Sequence, residues 1–527
     1  MKSNLGIFEE VDRLWSESFP DGNHYCQSPK CQNHLKKVSI ETPKAYQSFG
    51  TTKAGSQRYR CKLCKKFVTV AKATRWQQQP EKNLILFKLL LNKSPMRRIA
   101  EVTGVNIATI YHRVDFFYEQ CLAFTAFIEK DLATLPIERL YLSVDRQDYA
   151  VNWALKEDRK NTVFQAVAST DNETQYVFGL HLNFDPNSNP NEIEEEFKLN
   201  GDINLAPPFR QHARHWVKDD YEKAIASATK RVAGTAGLTG TIADNYANAT
   251  NRDDIEDDDY MTNDIMLPYN GTQIHSEYTL YGHFFYLKKL LGNVGKFRFF
   301  LDQDSGMRAA CLAAFQAEIE ARKADAFYVS INKEMKVDSR LTAKKTSKSE
   351  FAKYRLAYLS MHPHIKKLTD EDGMKIKLWM IKDQIKQMQG IGKWRDRWLM
   401  HPLPSMSEPE KAVCYLTDYQ HDPNLAYTDD HLAWLYYKAS MHGVDNVFMQ
   451  IRRRISLLER AIHSSANAGR VWNGYAPYNP HMITKMLTIF RTFHNFIHAS
   501  EKDGKTPAQR LGLVTKKFTH SDVINFA

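Results

Sequence analysis

The chain is poor in cysteine and has no long apolar run. Seven cysteines in 527 residues exclude a disulfide-stapled scaffold. No apolar stretch approaches the ~18–20 residues that a membrane span requires. The opening MKSNLGIFEEVDRLW carries acids where a secretory leader has an apolar core. These absences predict a soluble cytoplasmic protein with no membrane partner. Hydrophobic residues at 43% and aromatics at 12% are ample for packed cores and exclude global disorder. At ~100–200 residues per domain, the length predicts about three or four domains.

The formal net charge is +11, and it is unevenly placed. Residues 1–130 hold 21 Lys/Arg against 11 Asp/Glu, whereas the rest of the chain holds 51 against 50. A basic lobe on a near-neutral body predicts a polyanion-binding module joined to something else.

Four cysteines fall in that lobe, at Cys26, Cys31, Cys61 and Cys64. The spacing is C-x4-C, then 29 residues, then C-x2-C. Two such knuckles predict a tetrahedral thiolate site for structural Zn²⁺, which holds together a segment too small for a core of its own. His24 and His34 flank the first knuckle. Cys121, Cys311 and Cys414 stand singly and read as buried small hydrophobes. Lys36, Lys37, Arg58, Arg60, Lys62, Lys65 and Lys66 stud the ribbon, with Tyr46, Phe49, Tyr59 and Phe67 between them. That pattern fits strands with one cationic, phosphate-contacting face.

Next, Leu84, Phe87, Leu90 and Leu91 keep a helical period. A break at 92–95 precedes a short helix from Met96 to Val102. Gly104 supplies a turn, and a second helix runs from about Ile107 to Tyr118 with Asn106 as its N-cap. This is the shape of a helix-turn-helix. Its second helix would offer Thr109, His112 and Arg113 to a DNA major groove.

The central body reads β-β-β-α-β-α-β. IERLYLSVD (137–145) is a strand ending at Asp145. NTVFQAVAST (161–170) and TQYVFGLHLNF (174–184) form a hairpin about Asp171–Glu173. A polar stretch over 185–275 follows, and its acidic run 252–264 reads as a solvated loop. YTLYGHFFYLKKLLGN (278–293) is helical, KFRFFLD (296–302) is a strand ending at Asp302, a helix follows, and AFYVSIN (326–332) is a strand. In a ribonuclease H-like mixed sheet the first and fourth strands are neighbours, so Asp145 and Asp302 would converge. Paired carboxylates in a cleft bind divalent oxygen-loving cations. Two such ions suit phosphodiester chemistry. Asp148 and Asp304 are the alternatives, Asp304 also fitting a helix cap.

A third acid is expected from a helix packed beside those strands. The stripe Val447, Ile451, Ile455, Leu458 and Ile462 predicts a helix over 444–465. It carries Glu459, with Arg452, Arg453 and Arg454 as a phosphate-binding face.

Several pieces together resemble an insertion-sequence DDE transposase. GSQRYRCKLCKKF (55–67) looks like the transposase-type zinc ribbon, and the helix-turn-helix follows it directly. LYLSVDRQD and FRFFLDQDSGMRAA look like the catalytic-aspartate strands, and SLLERAI like the glutamate helix. YNPHMITKMLTIFRTFHNFIH (478–498) and GKTPAQRLGL (504–513) look like the tail. The resemblance implies an α/β chain: a ribonuclease H-like core with a helical insertion, behind a zinc ribbon and a helix-turn-helix. It implies a zinc ribbon over 1–75 and a helix-turn-helix over 76–130. The core's first part would be 131–332, interrupted by 185–275. A mostly helical insertion over 333–442 and the glutamate helix with the remaining core over 443–527 would complete it.

The same resemblance implies Asp145, Asp302 and Glu459 as catalytic ligands of two Mg²⁺ or Mn²⁺ ions. The expected function is to bind terminal inverted repeats of double-stranded DNA, hydrolyse a phosphodiester and join the freed 3′-hydroxyl to target DNA. A homodimer or larger synaptic assembly, in a bacterial cytoplasm and at the nucleoid, would follow. The alternatives are a domesticated, non-catalytic DNA-binding regulator and a structure-selective nuclease on the same fold.

Overall fold

The computed structural model describes the chain apart from residues 1, 21–24, 35, 37, 39–41, 53–55, 71–73, 75–76, 153–158, 229–233, 236, 252–260, 305, 393, 419–425, 460–474 and 527. Helix α1 (Asn4–Ser18) is N-capped by Ser3, whose hydroxyl accepts from the Gly6 N–H. Strands β1 (Tyr46–Thr51), β2 (Gln57–Cys61) and β3 (Phe67–Val70) form an antiparallel sheet in the order β1-β2-β3. Period-two alternation along β2 turns Tyr59 and Cys61 toward a small core with Tyr46, Val68 and Val70, and sets Arg58 and Arg60 on the other face. That core is separate from the main one.

Helices α2 (Asn83–Leu90), α3 (Met96–Thr103) and α4 (Ile107–Glu129) follow. Gly104, at φ 65°, ends α3 in the left-handed region that glycine tolerates. Asn106 Oδ1 accepts from the Ala108 N–H at 2.9 Å and starts α4. Helix α4 runs well past Tyr118, because Phe116, Phe117, Cys121 and Phe124 keep an apolar face that buries in the main core.

The body is one mixed sheet. Its strands are β4 (Ile137–Val151), β5 (Thr162–Asp171), β6 (Val177–Leu182), β7 (Val294–Leu301), β8 (Ala324–Ile331), β9 (Gln389–Ile391), β10 (Asp396–Met400) and β11 (Lys411–Tyr415). Their order is β9-β10-β11-β8-β7-β4-β5-β6. β4 pairs parallel with β7, and β7 with β8; the other pairings are antiparallel. Between β6 and β7 the chain forms α5 (Pro190–Leu199), α6 (Lys218–Ala228), α7 (Gly237–Asn251) and α8 (Ser276–Leu290). After β7 come α9 (Met307–Ala314), then α10 (Val337–Met361) and α11 (Asp370–Ile385). α12 (Asp429–Lys438), α13 (His442–Arg454) and α14 (His481–Thr492) follow, with two short helices, Pro507–Arg510 and His520–Ile524, after them. Alternation on β4 sends Ser143 and Asp145 to the face covered by α13. Ser169, the register partner of Val144, meets His283 of α8 on the other face.

The structure departs from the sequence expectations in two places, residues 4–18 and 455–459, and adds detail in two others. Residues 4–18 do not belong to the ribbon: Ile7 and Leu14 bury on the body, and the Ser3 N–H donates to the Tyr278 hydroxyl at 2.9 Å. The polar 185–275 stretch contains helices, although 252–260 of its acidic run lie outside the described residues. Residues 333–442, read as a mostly helical insertion, also carry β9–β11, which extend the central sheet through β8. The helix predicted over 444–465 stops at Arg454, with Ile455 extended and 460–474 outside the described residues.

Candidate functional site

In the ribbon, the sulfur atoms of Cys26, Cys31, Cys61 and Cys64 all lie within 4.8 Å of one another. The Cys26–Cys64 separation is 3.3 Å and the Cys31–Cys61 separation 3.8 Å. A tetrahedral Zn–S site of ~2.3 Å bonds needs sulfurs ~3.8 Å apart, so the cluster can hold a structural zinc. The second knuckle is a tight turn: the Lys65 N–H donates to the Cys61 carbonyl at 3.0 Å, with Lys65 at φ 62°. Burial pushes the Cys26 thiol up to about 12. Burial pushes Cys61 the same way, but the N–H groups of Cys64 and Leu63 and the Asn33 amide outweigh it and bring it to about 6. The Cys61 sulfur accepts from Asn33 Nδ2 at 3.4 Å, a donor that favours the thiolate.

The cationic residues divide by burial. Lys62, Lys65 and Lys66 are exposed, though Lys65 Nζ donates to the Lys62 carbonyl at 2.6 Å. Arg58 stacks on Phe67 at 4.3 Å from the ring centre, and Arg60 is half-buried. On α4, His112 is exposed and Thr109 half-buried. Arg113 is not offered to a groove. It is buried, and its guanidinium donates to the Gln78 carbonyl. Tyr111, exposed beside His112, takes its place on the open face.

In the body, β7 stops at Leu301 beside Val144, and the Asp302 N–H donates to the Val144 carbonyl at 3.2 Å. Asp302 therefore lies next to Asp145. Asp145 is not at the end of its strand, because β4 continues to Val151 on its pairing with β5 alone. It lies where the parallel neighbour ends. Burial, then the charge of Asp302, holds the Asp145 carboxyl well above the usual range. Burial pushes Asp302 up to about 6, with Asp304 and Asp445 adding to it and Lys333 opposing. The Asp302 charge adds to burial in raising the proton affinity of Asp145, as expected of two carboxylates side by side.

The third acid at this place is Asp445. Gly443 allows it. The Gly443 N–H donates to Asn172 Oδ1 at 3.0 Å, and the Val444 N–H to the Ser143 hydroxyl at 3.0 Å. A Cβ on Gly443 would stand 2.4 Å from Asn172 Oδ1. The start of α13 thus lies directly on β4 and β5, with Asp445 in its first turn. Lys333, just beyond β8, bridges the set: its Nζ is 2.9 Å from Asp445 Oδ1 and 3.7 Å from Asp145 Oδ2.

Glu459 is placed elsewhere. It follows the short turn Ser456–Leu458, its side chain is 42% exposed, and it pairs with Lys93 at 2.9 Å. Lys93 also captures the end of α13, its backbone N–H donating to the Arg454 carbonyl at 2.6 Å. Arg452 donates to Gln147 on β4, and Arg453 is exposed. Asp304 is ion-paired with Arg146, and Asp148 accepts from Gln165 Nε2 at 3.1 Å.

The donor set Asp145, Asp302 and Asp445 is all oxygen and suits a hard divalent ion. Among the described residues, only the cysteines bring three or more ligand atoms within 4.8 Å of one another. The acids stand further apart, with the Lys333 ammonium between two of them. A Mg²⁺ site needs only one or two protein carboxylates, so the Asp145–Asp302 pair fits. No described helix is long and apolar enough to cross a membrane. No protein-family model matches the chain, and no curated protein matches it.

Proposed function

We propose that the chain is a DDE-type DNA transposase with a ribonuclease H-like core. The observation that carries the reading is the juxtaposition of Asp145 and Asp302, where β7 ends beside β4 and the Asp302 N–H donates to the Val144 carbonyl. The order β6-β5-β4-β7-β8, antiparallel through β4 and parallel beyond it, supports that core. The four-cysteine ribbon and the α2–α4 module in the basic lobe support DNA recognition.

In this reading Asp145 and Asp302 hold the divalent ions, and Asp445 replaces Glu459 as the third acid. Bound ions would supply activation of a water or 3′-hydroxyl and stabilisation of the leaving oxygen. The chain's own residues do the rest. Lys62, Lys66 and His112 present exposed donors to DNA, and Arg452 and Arg453 carry cationic charge on the helix that presents Asp445. Pairing two DNA ends requires a dimer or larger assembly.

The test is cleavage and joining of labelled duplexes taken from the DNA flanking the coding sequence, with Mg²⁺ or Mn²⁺. Asp145→Asn and Asp302→Asn are each expected to lose more than ~100-fold of both activities. Wild-type rates in either variant would defeat the proposal. One observation favours a non-catalytic DNA-binding regulator: the Lys333 ammonium is ion-paired with Asp445 and lies 3.7 Å from Asp145. DNA binding with no divalent-dependent cleavage by the wild-type protein would select that alternative.

A further inference from the structure

We propose that Lys333 is a resident counter-cation, whose ammonium, placed between Asp145 and Asp445, competes with a divalent ion for these acids and swings out when they take one. The inference rests on reading Asp145 and Asp302 as an ion-binding pair. Lys333 follows β8, whose register beside β7 pairs Tyr328 with Leu301. The chain therefore leaves the sheet on the side where Asp302 stands. The ammonium has Asp145 on one side at 3.7 Å and Asp445 on the other at 2.9 Å. It also feels the Asp302 charge. The other cation near the pair, Arg146, is committed to Asp304.

The root of this lysine is fixed, and its side chain has room to move. The Asn332 N–H donates to the Glu410 carbonyl at 3.0 Å, and Asn332 Nδ2 to the Glu410 carboxylate at 2.9 Å. Arg340 of α10 donates to the Lys333 carbonyl and, at 2.7 Å, to that of Met335. The Lys333 side chain is 53% exposed, so its head can leave without opening the core. Asp145 and Asp445 share the charge of this one ammonium. The energetic logic is competition: a monovalent charge on a flexible stem is displaced by a divalent one, because the gain in attraction to buried carboxylates exceeds the loss of one ion pair.

The experiment is calorimetric titration of the full-length, zinc-loaded chain with MnCl₂ at fixed ionic strength and without DNA. Asp302→Asn serves as the blank for this site, and Lys502→Met, an exposed position in the carboxy-terminal turn, as the charge-matched control. Lys333→Met is expected to bind Mn²⁺ roughly tenfold more tightly than the wild-type and Lys502→Met proteins. Lys333→Arg, which keeps the cation, is expected to bind like wild type. Melting before Mn²⁺ addition is expected to be lower for Lys333→Met than for Lys502→Met, with Mn²⁺ closing the gap. Equal Mn²⁺ affinity in Lys333→Met and Lys502→Met, with a melting gap that Mn²⁺ leaves open, overturns the inference alone and makes Lys333 a plain tie between α13 and the sheet. Absence of Mn²⁺ binding in every variant overturns both the inference and the metal reading beneath it.

Discussion

Asp445 and Glu459 lie on consecutive stretches of chain, yet they belong to different surroundings. Asp445 shares Lys333 with Asp145, and Glu459 shares Lys93 with the end of α13. If the ion site is where Asp145 and Asp302 place it, Asp445→Asn should lower Mg²⁺-dependent cleavage by more than ~100-fold. Glu459→Gln should change it by less than about threefold, as expected of an exposed ion pair. A single assay on both variants decides between them. The sequence singled out Asp145 and Asp302 as acids behind apolar strands, and the structure sets them side by side, although β4 runs on past Asp145 to Val151. The sequence could not distinguish Asp445 from Glu459. The apolar period Val447, Ile451, Ile455, Leu458 continues past the point where the helix stops. What stops it is Lys93, a residue from α2's end, which binds the Arg454 carbonyl; no local pattern records that. A glycine followed two residues later by an acid in a helix's first turn was the usable hint.

Two elements set the geometry, and each has its own test. The first is the start of α13. Gly443→Ala would push a methyl group to within 2.4 Å of Asn172 Oδ1 and 2.9 Å of the Ser143 hydroxyl. Overpacking of this kind costs about 1–3 kcal/mol, so the urea midpoint should fall accordingly. Activity should fall further than stability does, since Asp445 would be carried away from Asp145. The second is the ribbon. Its apolar cluster is small and distinct from the main core, and its thiols cannot all ionise together without a cation among them. Removing zinc with a thiol-compatible chelator should release one ion per chain. Amide protection over β1–β3 should be lost while the body's melting transition is kept. Loss of protection throughout the body would show that the ribbon is not an independent unit. The ribbon's chemistry was plain from cysteine spacing. The dual nature of 333–442 was not, because β9 to β11 are short and join the main sheet only through the pairing of β11 with β8, far back in the sequence.

Across the whole molecule, the charge arithmetic that pointed to a basic lobe hides a second feature, a set of histidines buried in neutral form. His283 lies between Ser169 and His181, its ring nitrogens 2.5 Å from the Ser169 hydroxyl and 2.9 Å from His181 Nδ1. Burial, then the charge of Arg491, brings His283 down to about 3. Burial lowers His494 to about 4, and it holds His181, His215 and His401 well below the usual value. The unfolded chain takes up protons at these five rings from about pH 6.5 downward, whereas the folded chain refuses them until much lower pH. Depressed folded values give stability that is present above pH 6.5 and lost as pH falls toward 3. The coupled acids act in the opposite sense. With values raised above the usual carboxylate range, Asp145 and Asp302 bind protons in the folded state first and favour it below about pH 6. Burial lowers His481 as well. The carboxylates of Asp185 and Glu408, held below their usual range by ion pairs in spite of burial, lose stability on acidification in the same sense as the rings, so a net loss is expected. The urea midpoint of the metal-free body should therefore fall steadily from pH 7 to pH 4. His283→Gln, which can keep a donor or acceptor toward Ser169, should make that fall shallower by about one proton's worth of slope. A midpoint that rises on acidification would mean that the acid pair, not the buried histidines, dominates the fold's response to pH.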